Sequence, residues 1–151
     1  MNPNEFITRW QRSGGAELAN SQSFLKELCT VLDVAHPDPT QADESQNAYV
    51  FEKAVQFNNG DGTFSTGRID LYRQKCFILE YKQGAERKAE EQAEALATVT
   101  RNRKQRKGTA ARGTPQWAQA MKGAFHQAKR YAEPLPEWPP FLIVCDVGHC
   151  I

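Results

Sequence analysis

The apolar positions of this chain change period along its length, and each change marks an element. Between residues 16 and 32, Phe24, Leu25, Leu28, Val31 and Leu32 recur at the spacing of one helical face, which predicts a helix. A shorter helix is expected over residues 4–11, set off by the break Ser13-Gly14-Gly15. His36-Pro37-Asp38-Pro39 stops the longer helix, and a polar loop follows to about residue 46. From Ala48 the period falls to two. Phe51, Val55 and Phe57 alternate with Glu52, Ala54 and Gln56, as on a half-buried strand, with Lys53 interrupting the apolar side. Asn58-Asn59-Gly60-Asp61-Gly62 then supplies residues that tolerate positive φ. A second strand is expected over 63–72 and a third over 76–82, joined by the short turn Arg73-Gln74-Lys75.

Beyond Gln83-Gly84 the pattern turns helical again, with a polar helix over 85–99. Residues 101–113 carry six basic side chains and no acidic one, which reads as a loop suited to phosphate contacts, although charge runs are more often simply solvated. Thr114-Pro115 opens another helix, to about residue 131, with proline in its first turn. Phe141-Leu142-Ile143-Val144-Cys145 is a continuous apolar run of the kind found in central strands. The predicted fold is α/β: a mixed sheet, an antiparallel meander plus a further strand, flanked by helices.

Composition narrows this only slightly. The 151 residues fit one domain, and 19 Lys plus Arg against 18 Asp plus Glu give a net charge of +1, so the whole-chain charge points to no particular partner. Cys29, Cys76, Cys145 and Cys150 form no C-x-x-C pair, and His36, His126 and His149 complete no zinc spacing. A reducing, cytoplasmic setting without a disulfide framework is expected. The start, Met-Asn-Pro-Asn-Glu-Phe, has neither the basic nor the apolar region of a signal peptide, and no apolar run is long enough to span a membrane.

The candidate chemistry lies on the hairpin of the second and third strands. If Ile69 and Leu71 share one face, Asp70 points to the other, while Glu80 and Lys82 share a face by their spacing of two. With Arg73-Gln74-Lys75 as the turn, Asp70 falls opposite Ile78 and diagonal to Glu80, about 7–8 Å away. Two carboxylates so placed can grip one hard cation. Mg²⁺ (or Mn²⁺ in its stead) prefers oxygen ligands and keeps several waters, so Asp70, Glu80 and the Tyr81 carbonyl form a sufficient set. Lys82 would orient an attacking water and offset charge on a phosphate. This is the PD-(D/E)XK arrangement for phosphodiester hydrolysis. As a bare string it is short enough to arise by chance. Gln127 adds to it: on the later helix it shares a face with Ala120, Ala124 and Tyr131, so its amide should find a specific partner, or else sit partly exposed. Glu17 shares a face with Phe24 and Leu28, but an acid near a helix N-terminus is favoured by the macrodipole alone, and that reading is preferred. The side taken by Glu52 on the first strand is open, and His126 and His149 read as surface or packing residues.

Beyond these residues, Phe6-Ile7-Thr8-Arg9-Trp10, Ser13-Gly14-Gly15-Ala16-Glu17, Ala48-Tyr49-Val50-Phe51-Glu52-Lys53, Gly67-Arg68-Ile69-Asp70-Leu71-Tyr72 and Pro139-Pro140-Phe141-Leu142-Ile143-Val144 with Asp146-Val147-Gly148-His149 resemble MmeI-like (Type IIL) restriction–modification enzymes. The resemblance covers essentially the whole chain. It implies the N-terminal endonuclease module of a polypeptide that also carries a helical connector, an S-adenosylmethionine-dependent adenine methyltransferase and a target-recognition domain. Asp70, Glu80, Lys82 and Gln127 would be its catalytic residues, with Asp70, Glu80 and Tyr81 on Mg²⁺. In RecB-type nucleases, which share the Gln-x-x-x-Tyr pattern, the glutamine orients the catalytic groups and the tyrosine contacts a DNA phosphate. The usual proline before the catalytic aspartate is replaced by Ile69. The resemblance implies double-stranded DNA as substrate and the remaining domains of the same polypeptide as partners, and leaves dimerisation open for cutting both strands. S-adenosylmethionine would belong only to the absent methyltransferase, and the chain is expected to be a fragment of a longer one. Two other readings stand beside it: a catalytically silent nuclease fold that binds or scaffolds DNA, and a stand-alone repair or junction nuclease.

Overall fold

The computed structural model describes residues 1–13, 17–84 and 110–151, with residues 17 and 18 described through their backbone only. The helix expected over 85–99, the basic residues up to 109 and the side chain of Glu17 lie outside that set. Helix α1 spans Pro3–Gln11 and α2 spans Glu17–Val31. Asn2 caps α1 through a capping box with Glu5, and Pro3 starts it with no N–H to leave unpaired. Strands β1 (Tyr49–Asn58), β2 (Phe64–Arg73) and β3 (Phe77–Lys82) form the expected meander. Helix α3 (Pro115–Ala132) follows, capped by Thr114, and β4 (Phe141–Asp146) ends the order.

The described strands form one sheet in the order β1-β2-β3-β4, antiparallel except for the parallel pair β3/β4. Hence β4 lies at the end of this ladder rather than inside it. Its apolar run has another cause, because both of its faces are covered. Ile143 packs with the α1/α2 side and Leu142 with the α3 side. On the first face Phe6, Trp10 and Phe24 stack over Tyr49, Phe51, Leu71, Leu79 and Tyr81, with Trp10 edge-on to Phe24 at 5.2 Å. On the second, Ala128, Tyr131 and Ala132 of α3 lie on Val55, Ile69, Tyr72 and Ile78. Small residues let this helix approach closely. Gly67 of β2 completes the fit, since a Cβ there would stand 2.6 Å from the Tyr131 ring.

One end of the sheet is tied by a buried polar knot. Asp146, fully buried at the end of β4, accepts from Arg112 Nε (2.9 Å), Arg112 Nη2 (3.0 Å), the Gly84 N–H (2.9 Å) and Trp117 Nε1 (2.7 Å). Arg112 also donates to the Val147 carbonyl at 2.9 Å. Gly84 is required for this approach, because a Cβ would fall 2.8 Å from both Arg112 and Asp146. Arg112 was expected in a phosphate-binding loop. It is instead 9 % exposed and committed to the core side, because a buried carboxylate needs a cation. Burial opposes charge on Asp146, but its bonds from Arg112, Gly84 and Trp117 together hold its carboxyl below the usual value of 3.8.

Arg112→Ala strands the Asp146 charge and should destabilise the fold by about 3–5 kcal/mol, read by denaturant unfolding. Combining it with Asp146→Asn should recover part of that loss, and a purely additive double variant would contradict the pairing.

Candidate active site

The hairpin of β2 and β3 turns through Gln74-Lys75-Cys76, with Lys75 at φ 59. That is one position later than the turn read from the sequence. It follows the three-residue pattern in which a turn closes through a left-handed residue. The register becomes Arg73↔Phe77, Tyr72↔Ile78 and Leu71↔Leu79, so continuing it sets Asp70 directly opposite Glu80 rather than diagonal to it.

The regular pairing stops at that point, and side chains take over. The Tyr81 N–H donates to Asp70 Oδ2 at 2.8 Å, and the Asp70 N–H donates more weakly to Glu80 Oε1 at 3.4 Å. Each carboxylate thus occupies space that a backbone carbonyl would normally fill. Ile69 packs in the α3 core and Leu71 in the α1/α2 core, so they do not share a face. The alternation argument for Asp70 therefore failed, and the direct register is what brings the two acids together.

Glu80 is fully buried. Gln127 of α3 donates Nε2 to Glu80 Oε2 at 2.7 Å, which gives its amide the specific partner its place on the helix required. Tyr131, one turn on, is 8 % exposed and packs 5.7 Å from the Phe57 ring, where it serves as a core residue. Lys82 closes β3, half-buried and paired in register with Asp146. Its carbonyl accepts from the Val147 N–H at 2.8 Å. Burial is the main cause that raises the Glu80 carboxyl from 4.5 to about 8, and the neighbouring Asp70 charge adds to it. Asp70 is raised as well, chiefly by burial, against the bond from Tyr81 and the charge of Lys82, while Glu52 adds repulsion.

Glu52 sits opposite Asp70 on β1 with φ 54, in the left-handed region. The alternation pattern held no sign of this. Asp146, Arg112 and Trp117 were missed too. The signal available was the acid closing the apolar run at residues 141–145. His126 and His149 are exposed, and His149 stacks edge-on with Trp117 at 5.8 Å. All four cysteines are free thiols. Among the described residues no three His, Cys, Asp or Glu side chains converge as a metal cluster, and no helix is long and apolar enough to cross a membrane.

An α/β domain with an Asp on one strand and Glu-x-Lys on the next has the layout of a restriction-endonuclease-like domain. The family described as "MmeI, N-terminal domain" matches residues 1–151, and the chain belongs to that family, the nuclease part of a restriction–modification enzyme. No curated protein and no solved structure matches it.

Because the folded Glu80 keeps its proton up to about pH 8 while the unfolded side chain loses it near 4.5, stability should fall as pH rises across that window. The loss is on the order of a few kcal/mol, and Asp70 contributes in the same direction. Glu80→Gln removes the cost of charging. Thermal unfolding should show it more stable than the unsubstituted chain above pH 8 and similar to it at pH 5. Equal pH profiles for the two would contradict the buried-acid reading.

Proposed function

We propose that this domain hydrolyses phosphodiester bonds of double-stranded DNA with the help of a divalent cation, as the cutting module of a restriction–modification polypeptide. One observation carries the reading: half-buried Asp70 and fully buried Glu80 are held face to face where the β2/β3 ladder stops, beside Lys82. Two carboxylates crowded so closely are costly to ionise alone, and a hard cation between them removes that cost.

The residues present fit Mg²⁺, or Mn²⁺ in its place. Mg²⁺ needs only one or two carboxylates because it keeps most of its waters, so it is no obstacle that the described residues hold no cluster of three acidic, His or Cys side chains. Asp70, Glu80 and the Tyr81 carbonyl would hold it. In an extended strand the Tyr81 carbonyl faces the same neighbour as its N–H, which is bonded to Asp70. The ion supplies Lewis acidity and a more acidic bound water. The chain supplies the rest. Gln127 binds Glu80 Oε2 and so fixes the rotamer that presents Oε1 toward Asp70. Lys82 brings an ammonium beside the pair to orient the water and balance charge developing on the phosphate. Target choice belongs to the further domains of such polypeptides, and these residues alone should cut slowly and without sequence preference.

Calorimetric titration with Mn²⁺ in the presence of duplex DNA should detect binding that falls at least about tenfold in Asp70→Asn and Glu80→Gln. With Mg²⁺, Lys82→Ala and Asp70→Asn should lower cleavage of a DNA duplex by about 10²–10³-fold. Variants that cut as well as the unsubstituted chain would overturn the residue roles. Absence of carboxylate-dependent metal binding would favour a silent scaffold.

A further inference from the structure

The β1/β2 ladder runs from Tyr49↔Arg73 to Phe51↔Leu71, omits one pair, and resumes at Lys53↔Ile69 for the rest of the hairpin. The omitted pair is Glu52 with Asp70. The register is the same on both sides, so no residue has been inserted and this is not a bulge. What changes is the facing of both strands. In β1, Tyr49 and Phe51 pack with α1 and α2, whereas Val55 and Phe57 pack toward α3. In β2, Leu71 packs with α1 and α2, whereas Ile69 packs toward α3. Both strands therefore roll over at a single opposed pair. Glu52 accomplishes the roll in β1 with a left-handed backbone, which non-glycine residues seldom adopt and which a regular strand never needs.

The roll has a consequence for Asp70. In a regular strand its side chain would stand perpendicular to the sheet. Here the carboxylate lies along the sheet and accepts the Tyr81 N–H of the adjacent strand. We infer that Glu52 is a positioning residue whose left-handed backbone turns β1, and with it β2, so that the Asp70 carboxylate faces β3 and Glu80. The inference rests on the proposed metal-binding role of Asp70, but its geometric half is separately testable. The role belongs to the backbone of residue 52, so any residue at ease at positive φ should fill it, and a β-branched one should not.

The experiment compares Glu52→Gly with Glu52→Val in the full chain. Amide exchange at Tyr81 reads the Asp70 bond, and Mn²⁺ titration reads the site. Glu52→Gly should raise the unfolding midpoint by about 2–4 °C and keep both Tyr81 protection and Mn²⁺ affinity within about threefold. Glu52→Val should lose Tyr81 protection and weaken Mn²⁺ binding at least about tenfold. If Glu52→Val keeps Tyr81 protection, or Glu52→Gly loses it, the inference is overturned. If Glu52→Val does not fold, the glycine variant decides alone. A chain that binds no Mn²⁺ but shows the expected Tyr81 pattern would refute the metal-binding role and leave the positioning intact.

Discussion

Two carboxylates set opposite each other between adjacent strands, Glu80 buried and Asp70 half-buried, set the terms for the rest of this structure. Regular antiparallel pairing would leave no room for them in the plane of the sheet, so the ladder ends one residue short and the side chains of Asp70 and Glu80 replace backbone acceptors. That substitution satisfies N–H groups that would otherwise be orphaned, and it forces like charges together. The surroundings answer the problem piece by piece. Gln127 reaches from α3 to one oxygen of Glu80, the Tyr81 N–H holds one oxygen of Asp70, and the charge of Lys82 favours the ionised form of both acids. The cost that remains is what a divalent cation would relieve.

The helices and loops can be read as supports for this arrangement. Helix α3 must lie close to the sheet for Gln127 to reach Glu80, and Ala128, Ala132 and Gly67 remove the bulk that would hold it away. Past Lys82, the Asp146 knot fixes Gly84 and Arg112 on one carboxylate, so the chain leaves β3 and enters α3 from a single anchored point. Two buried acids on the adjacent strands β3 and β4 thus meet opposite fates. Asp146 is given a guanidinium and two further N–H contacts and stays ionised, whereas Glu80 is given an amide and a second acid and resists ionisation. The contrast separates a structural carboxylate from one suited to bind a ligand.

Much of this was legible from residue order. Period-two alternation, the Asn-Gly and Asp-Gly turn and the proline-led helix fixed the elements to within a residue or two, and helical spacing put Gln127 on the buried side of α3. The hairpin register was not legible, because it depends on whether Lys75 takes a left-handed conformation, and lysine has no preference that announces one. The same limit hid the roll at Glu52. Alternation arguments assume that a strand keeps its faces, and one residue at positive φ reverses them. Arg112 was misread for a different reason. Within a basic stretch nothing local marks the one guanidinium whose partner, Asp146, lies 34 residues away.

The misread register and the misread faces had compensating effects, and this is informative about the motif itself. Strict alternation with the earlier turn put the acids on a shared face as diagonal neighbours. The actual turn and the actual roll put them directly opposite, in the plane of the sheet. Both geometries bring Asp70 to Glu80, so a spacing rule succeeds without identifying the mechanism that satisfies it. Only the second lets a carboxylate accept a backbone N–H of the next strand, and that bond fixes its direction more tightly than a surface rotamer could. In the proposed site that precision comes from an interrupted ladder, and the residues that interrupt it would belong to the site as much as those that bear the charge.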